Sequence, residues 1–305
     1  MSRDYAKPQG GMHRAGTGGC GEPGGWSSMW TRRAVYPVLL LATVATAVAG
    51  LYYRLDPGLT TSAFQFAVIA YLVILERLIP YDRGWHPNRR EWGWYGIYFL
   101  VTAAGSVTAQ LLVEALVGVV SPARPALPLA VETPLALLVG SLASYLVHRW
   151  SHTNPWLWRL HGVHHVPQKV NVANNGVNHV LDVLLAQGGV QVSLSLLGFS
   201  QESVFAIGLF VITQGYFTHA NIDVRIGWLN HLLASPEQHR LHHSTDLAEA
   251  GHYGSDLAVW DRIFGSYTWR PGRRPSAVGL KDPASFPGTE AVLASHLQAW
   301  RGPAG

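Results

Sequence analysis

The chain has 305 residues, and its composition is unlike that of a soluble enzyme. Charged residues make up 13% and hydrophobic residues 48% of the sequence, whereas a typical soluble domain has about 25% charged residues. Twelve Trp and twelve Tyr favour a protein that meets a membrane–water interface. A single cysteine excludes a disulfide framework and Cys-rich metal sites, and a net charge of +4 without a basic stripe argues against a nucleic-acid partner.

The first half of the chain predicts a membrane region behind a polar tail. Residues 1–30 are rich in Gly and polar side chains, which predicts a disordered tail. Four apolar runs follow within residues 31–147, and each can cross a bilayer core of roughly 30 Å. These runs are 34–53, 62–79, 95–120 and 129–147. We therefore predict about four transmembrane helices.

The basic residues predict an orientation for these helices. If the spans alternate, Arg32, Arg33 and the loop 83–90 lie on one side, and the opposite loops carry only Arg54 and Arg124. Basic loops face the cytoplasm in most membrane proteins. The N-terminus and the region that follows the fourth span are thus expected on the cytoplasmic side of a bacterial cytoplasmic membrane.

A further apolar stretch occupies residues 180–217 and is too long for one span. Its break near LGFSQES predicts a helical hairpin that returns to the side it left, with either full or partial passage through the bilayer. Residues 148–270, which include this hairpin, are the predicted catalytic domain. Residues 271–305 are rich in Pro and Gly, which predicts a loose C-terminal tail.

Twelve of the fifteen histidines fall between residues 148 and 252. They form three clusters, HRWSH at 148–152, HGVHHV at 161–166 and HRLHHS at 239–244. On a helix, residues three and four apart share a face, so each cluster offers two or more imidazoles to one ion. Three such clusters brought together could hold two ions.

The type of metal follows from the number and kind of these ligands. Imidazole suits Zn, Cu, Fe and Ni, but this many histidines exceed the needs of one tetrahedral zinc. The HExxH pattern of zinc proteases is absent from the sequence. Two ions in an all-nitrogen environment beside a membrane favour iron and O₂ chemistry.

After HRWSH, residues 144–267 carry four further motifs in this order: WRLHGVHH, THAN, SPEQHRLHHS and WDRIFGSY. With these motifs, the segment resembles the fatty acid hydroxylase / sterol desaturase superfamily of membrane-bound, histidine-rich di-iron oxygenases. The resemblance implies an all-α integral membrane helical bundle with a cytosolic histidine-rich cap that holds a dimetal site. It also implies two Fe ions as cofactors, O₂ as co-substrate, and no catalytic side chains beyond the metal ligands.

Ten histidines match the metal ligands of the family. They are His148, His152, His161, His164, His165, His179, His219, His239, His242 and His243. The match is weakest at His179, because Val177 and Val180 stand where relatives carry Arg and Pro. His252 replaces an Asn of relatives and is not counted as a ligand. Asp261 is expected to orient a ligand imidazole or to cap the fold.

The resemblance implies hydroxylation of an unactivated C–H bond in a lipid-like substrate, such as a fatty acyl chain, a sterol or hopanoid, a carotenoid or an ether lipid. Desaturation of such a lipid is the alternative. Because the chain has no haem motif, dinucleotide fingerprint or cysteine cluster, a separate electron donor is expected. This donor is a ferredoxin or a cytochrome b5-like carrier with its reductase, and the loop 83–90 is its docking surface or a lipid anchor.

Three alternatives come from other classes of protein. Paired histidines also occur in membrane electron carriers that bind haem, although the clusters here lie in polar segments. A metal transporter would place His, Asp and Glu within the spans, which here hold isolated acids such as Glu114. A non-catalytic metal-binding scaffold would carry the same spans, but we expect it to lack intact histidine clusters.

Overall fold

The computed structural model of this chain describes residues 26–117 and 127–300, with side chains for 32–116 and 127–300. Regular structure in these two ranges is helical, and β pairing is limited to isolated bridges. The prediction of an all-α protein is therefore confirmed.

Four helices are long and apolar enough to cross a membrane. They are α1 (Trp26–Tyr52), α2 (Pro57–Leu78), α3 (Arg89–Val117) and α4 (Leu129–Thr153). Leu41 and Leu100 on their outer faces are 70% and 68% exposed, as expected of side chains that face lipid. The four predicted spans are confirmed, although α1 begins inside the predicted 1–30 tail. Residues 1–25 and the predicted end of the third span at 120 lie outside the described residues.

The apolar stretch at 180–217 forms two consecutive helices. They are α6 (Val180–Leu196) and α7 (Gln201–His219), joined by a short turn in which the Ser200 side chain accepts a hydrogen bond from the Ser203 N–H at 3.2 Å. At 1.5 Å per residue, α6 is about 26 Å long, slightly less than a bilayer core. The helix α4 packs against both, while α3 packs on α6, and α1 and α2 pack on α7.

Short helices form a cap over the end of the bundle where α4 and α7 terminate. They are α5 (Pro155–His161), α8 (Pro236–His242), α9 (Val259–Phe264) and α10 (Val292–Leu297), with a 3-10 turn at Gly162–His165. The C-terminal segment was expected to be a loose tail, but Leu280 and Phe286 are buried in one apolar cluster with Tyr95 and Tyr98 of α3. Apolar partners on α3 thus hold this Pro- and Gly-rich segment against the cap.

Candidate metal centre

The first histidines come from α4 and the segment after it. His148 and His152 lie one turn apart near the end of α4, so their side chains share a face. The chain reverses at Asn154, whose side chain accepts hydrogen bonds from two backbone N–H groups of α5, and Pro155 occupies the first helical position. This short helix and the 3-10 turn that continues it then present His161, His164 and His165.

The remaining histidines come from the ends of α7 and α8. His219 is the last residue of α7. The helix α8 begins with a capping box formed by Ser235 and Gln238, followed by Pro236 at its first position. It carries His239 and His242, and His243 is its C-terminal cap.

The fold gathers nine of the ten predicted ligands into two groups whose nitrogen atoms, within each group, all lie within 4.8 Å of one another. The first group is His148, His152, His161, His165 and His242. The second group is His164, His219, His239 and His243. Each group draws on three separate segments of the chain, so neither exists until the helices have packed. Either group could hold a metal ion.

Hydrogen bonds fix the orientation of five of these rings. Each donates its Nδ1–H to an oxygen, so its Nε2 carries the lone pair that a metal needs. The pairs are His148 to Tyr253 O (2.6 Å), His161 to Asp182 Oδ2 (2.9 Å), His164 to Val177 O (3.1 Å), His242 to Gly251 O (3.3 Å) and His219 to Asn174 Oδ1 (3.4 Å). Second partners of this kind are common around metal-binding histidines.

The Nε2 atoms turn towards the interior of the groups and lack ordinary partners there. Those of His148, His152 and His242 are buried and have no hydrogen-bond partner. Other rings meet nitrogen to nitrogen: the Nε2 atoms of His164 and His219, and those of His239 and His243, are 3.1 Å apart. Buried polar atoms without partners are costly. A metal ion bound by these lone pairs would satisfy them, so the donor set fits the predicted dimetal site.

Burial also holds the cap imidazoles in the form that binds metal. It lowers the pKa of His164 to about 4. Burial, reinforced by neighbouring imidazoles, lowers the pKa values of His165, His239, His242 and His243 well below the usual value of a histidine. These rings are therefore neutral at pH 7, and a metal need not displace a proton from an imidazolium to bind them.

Asp261 acts on the first group through the backbone. Its buried carboxylate accepts hydrogen bonds from the N–H groups of Tyr253 (2.7 Å) and Gly254 (2.8 Å). The carbonyl of Tyr253 in turn accepts from His148, so Asp261 positions the group that orients this ring. His252, in the same loop, is fully buried with a φ of 70° and belongs to neither group.

His179 is the predicted ligand that the fold does not bring into either group. It caps the N-terminus of α6: its Nδ1 accepts a hydrogen bond from the Leu181 N–H at 3.1 Å. Its Nε2 donates to the carbonyl of His296 at 3.0 Å. Both ring nitrogens are thus already used, which gives His179 a structural place beside α10.

Three residues near the site were missed by the sequence analysis. Asp182 and Asn174 orient His161 and His219. Glu76 of α2 is buried, and one of its oxygens accepts hydrogen bonds from the N–H groups of Val172 and Asn221, both at 2.8 Å. For Asp182 and Glu76 the available signal was a carboxylate at the start of or within an apolar run, since intramembrane acids are costly and usually functional. Asn174 has no such signal in the sequence.

A cavity of about 450 Å³ extends from the histidines into the membrane bundle. Its walls come from α2, α3, α4, α6 and α7, and five histidines line one end: His148, His161, His164, His219 and His239. A larger cavity of about 970 Å³ lies outside the start of α3, and none of the predicted ligands lines it. The smaller cavity is therefore the one that a substrate of this centre would occupy.

Comparisons with known proteins identify the family of the chain. The family described as fatty acid hydroxylase matches residues 133–266. The chain is 30% identical over 263 residues to the ornithine lipid hydroxylase OlsE of Rhizobium tropici, a match that covers 81% of this chain and 79% of that protein.

More distant relatives match over shorter segments. The alkylglycerol monooxygenase of Danio rerio is 29% identical over 44% of this chain and 30% of its own length. A very-long-chain aldehyde decarbonylase of Oryza sativa subsp. japonica is 25% identical over 65% of this chain and 81% of its own. No solved structure matches. The chain belongs to the fatty acid hydroxylase / sterol desaturase superfamily.

Proposed function

We propose that this chain is an O₂-dependent di-iron oxygenase that hydroxylates an unactivated C–H bond of a membrane lipid. The observation that carries the proposal is the cavity between membrane helices that ends at both histidine groups. Because the cavity lies between membrane helices, a lipid tail would enter it from the bilayer. The relatives named for hydroxylation of ornithine lipid and oxygenation of alkylglycerol support a lipid substrate.

The first and second groups would each hold one iron ion. Bound there, the ions would supply the activation of O₂ and the attack on a C–H bond, which side chains alone cannot perform. The protein's own work is to bring nine imidazoles together and to orient five of them. Asp182, Asn174 and the backbone carbonyls of Tyr253, Val177 and Gly251 do this by accepting the Nδ1 protons.

Water must be kept from the reacting carbon while the lipid is held. Six histidines of the cap are each at most 8% exposed: His161, His164, His165, His239, His242 and His243. The cap thus closes the site on the side away from the membrane, and the lipid itself fills the cavity on the other. Electrons would arrive from a separate ferredoxin or cytochrome b5-like donor, with the cap and the loop 83–90 on the cytoplasmic side.

Metal analysis and Mössbauer spectroscopy of the purified protein test the cofactor. We expect about two irons per chain, one for each group, and a fall below about one iron in a His164→Ala plus His242→Ala variant, which removes one ligand from each group. His179→Ala is the matched control, because it also removes a buried histidine and should leave the iron content unchanged. One zinc and no iron in the unsubstituted chain would overturn the proposal.

Lipid analysis tests the reaction. Membranes from cells that express the chain should contain a lipid that is 16 Da heavier than its precursor, as insertion of one oxygen atom requires. The double histidine variant should lack this product. A product that is 2 Da lighter would instead assign desaturation, and an unchanged lipid profile with intact iron would contradict both reactions.

A further inference from the structure

The cavity that ends at the histidines carries polar side chains among its apolar ones, although it lies between membrane helices. Its lining includes Thr61 and Gln65 of α2, Thr102 and Ser106 of α3, and Gln187 of α6. Polar side chains within membrane helices are costly unless they find hydrogen-bond partners. The lining therefore indicates a ligand that carries polar atoms into the bundle.

One hydroxyl in this lining is oriented and has a proton to donate. Tyr216 lies on α7, three residues before His219, so the two side chains share a face of the helix. Its hydroxyl oxygen accepts a hydrogen bond from Nε2 of Gln65 at 2.9 Å. Among the described residues this is the one hydrogen bond that the hydroxyl makes, so its own proton is free for an acceptor in the cavity.

The position of Tyr216 links this hydroxyl to the reacting end of the cavity. Tyr216 is only 8% exposed, and it lines the cavity together with Gly215, Thr218 and His219. Gln65 approaches from α2, which packs on α7 and also lines the cavity, and its amide oxygen is a second acceptor or water-binding site. Along α7, Tyr216 comes about one helical turn before His219, a member of the second histidine group.

We propose that the Tyr216 hydroxyl, oriented by Gln65, donates a hydrogen bond to an ester, amide or ether oxygen of the lipid substrate. This inference rests on the proposed function and names its substrate class: a lipid with an oxygen function near the oxidised carbon, rather than a plain hydrocarbon. The hydrogen bond fixes how far the chain extends past Tyr216, and this distance selects the C–H bond that meets the metal centre.

Binding without turnover gives the first test. The full chain in lipid nanodiscs, with zinc in place of iron, is titrated with methyl palmitate, 1-O-hexadecylglycerol and hexadecane, and binding is followed by tryptophan fluorescence. A hydrogen bond contributes about 1 kcal/mol, so the two oxygen-bearing probes should bind about fivefold more tightly than hexadecane. In Tyr216→Phe and in Gln65→Leu this preference should fall to about onefold to twofold.

Tyr36→Phe is the matched control. Tyr36 also pairs with a glutamine of α7: its hydroxyl donates to Oε1 of Gln214 at 2.9 Å. This pair does not line the cavity. The control therefore removes a comparable buried hydrogen bond and should keep the preference of the unsubstituted chain. Equal binding of all three probes by the unsubstituted chain, or an unchanged preference in Tyr216→Phe, would overturn the inference.

Product analysis with the iron-loaded protein gives the second test. The unsubstituted chain should hydroxylate an oxygen-bearing lipid at one dominant position, and Tyr216→Phe should spread the products over neighbouring carbons and raise KM more than it lowers kcat. If the unsubstituted chain oxidises no lipid, the proposed function fails and the binding experiment still decides the inference. If it oxidises hexadecane and the ester equally, at positions that Tyr216→Phe does not change, the inference alone fails.

Discussion

The two histidine groups differ in their number of ligands and in what holds them. The first group has five imidazoles, and the second has four. In the first, His161 donates to the buried carboxylate of Asp182 at 2.9 Å. In the second, the partners are neutral oxygens, at 3.1 Å from His164 and 3.4 Å from His219. A carboxylate partner makes an imidazole a stronger donor to metal.

The groups also differ in how they meet the cavity. Three of the four histidines of the second group line it, His164, His219 and His239, against two of the five in the first group. An ion held by four protein ligands keeps more open positions than the same ion held by five. Under the proposed function, the first group would retain its metal more tightly, and the second would leave more positions for O₂ and substrate.

Removal of one ligand from each group should have the largest effect. We expect His239→Ala to lose the second ion, so that iron falls from about two to about one per chain, because only three imidazoles remain. His242→Ala should retain more iron, since four remain in the first group. Both should lose more than about 100-fold in product formation. Equal iron loss in the two variants, measured by metal analysis, would remove the proposed difference.

The carboxylate partner should have the next largest effect. Asp182→Asn keeps an acceptor for the Nδ1–H of His161 but removes the negative charge. We expect the affinity of the first group for iron to fall by roughly 10-fold to 100-fold, the range typical of such partners. Titration with a competing chelator measures it. Unchanged affinity would mean that the carboxylate serves only to place the ring.

The neutral partner in the second group should matter less. Asn174→Ala removes the amide oxygen that accepts from His219 at 3.4 Å. The bond is long and uncharged, so we expect a loss of about threefold in iron affinity, which corresponds to less than 1 kcal/mol. The same chelator titration measures it. A loss as large as that of Asp182→Asn would show that the two groups depend equally on their partners.

The smallest effect on metal is expected at His179. Its ring caps α6 and contacts the carbonyl of His296, so His179→Ala should leave the iron content unchanged. The lost cap should lower the free energy of unfolding by about 1 kcal/mol, which thermal denaturation in detergent can detect. Loss of iron without a change in thermal stability would place His179 in the metal centre after all.

The sequence predicted the spans and the histidines that the fold brings together better than it predicted the residues that orient those histidines. Apolar runs of membrane length give helices whatever their neighbours are, so α2 ends within one residue of its expected end and α4 starts where it was expected, whereas α2 starts five residues early. The histidine clusters could be recognised from their spacing alone. His179 was carried over by resemblance in spite of Val177 and Val180, and the fold places it at a helix cap.

The partners of the histidines could not be predicted because they depend on contacts between distant segments. Tyr253 orients His148 with a backbone carbonyl from 105 residues away, and a backbone carbonyl has no sequence signature. Tyr216 and Gln65 are 151 residues apart. Nothing in the local pattern of either residue indicates that both line one cavity.

The buried carboxylate of Glu76 has a consequence for how the centre matures. Glu76 lies in α2, the second membrane helix of the chain. Its carboxylate accepts hydrogen bonds from the N–H of Val172, two residues before Asn174, and from the N–H of Asn221, two residues after His219. Residues 133–266, which the family matches, are thus held in part by a residue outside this segment. We expect that a fragment beginning at residue 127 cannot bind metal by itself. During biosynthesis, α1 and α2 must therefore be inserted and packed before the metal binds.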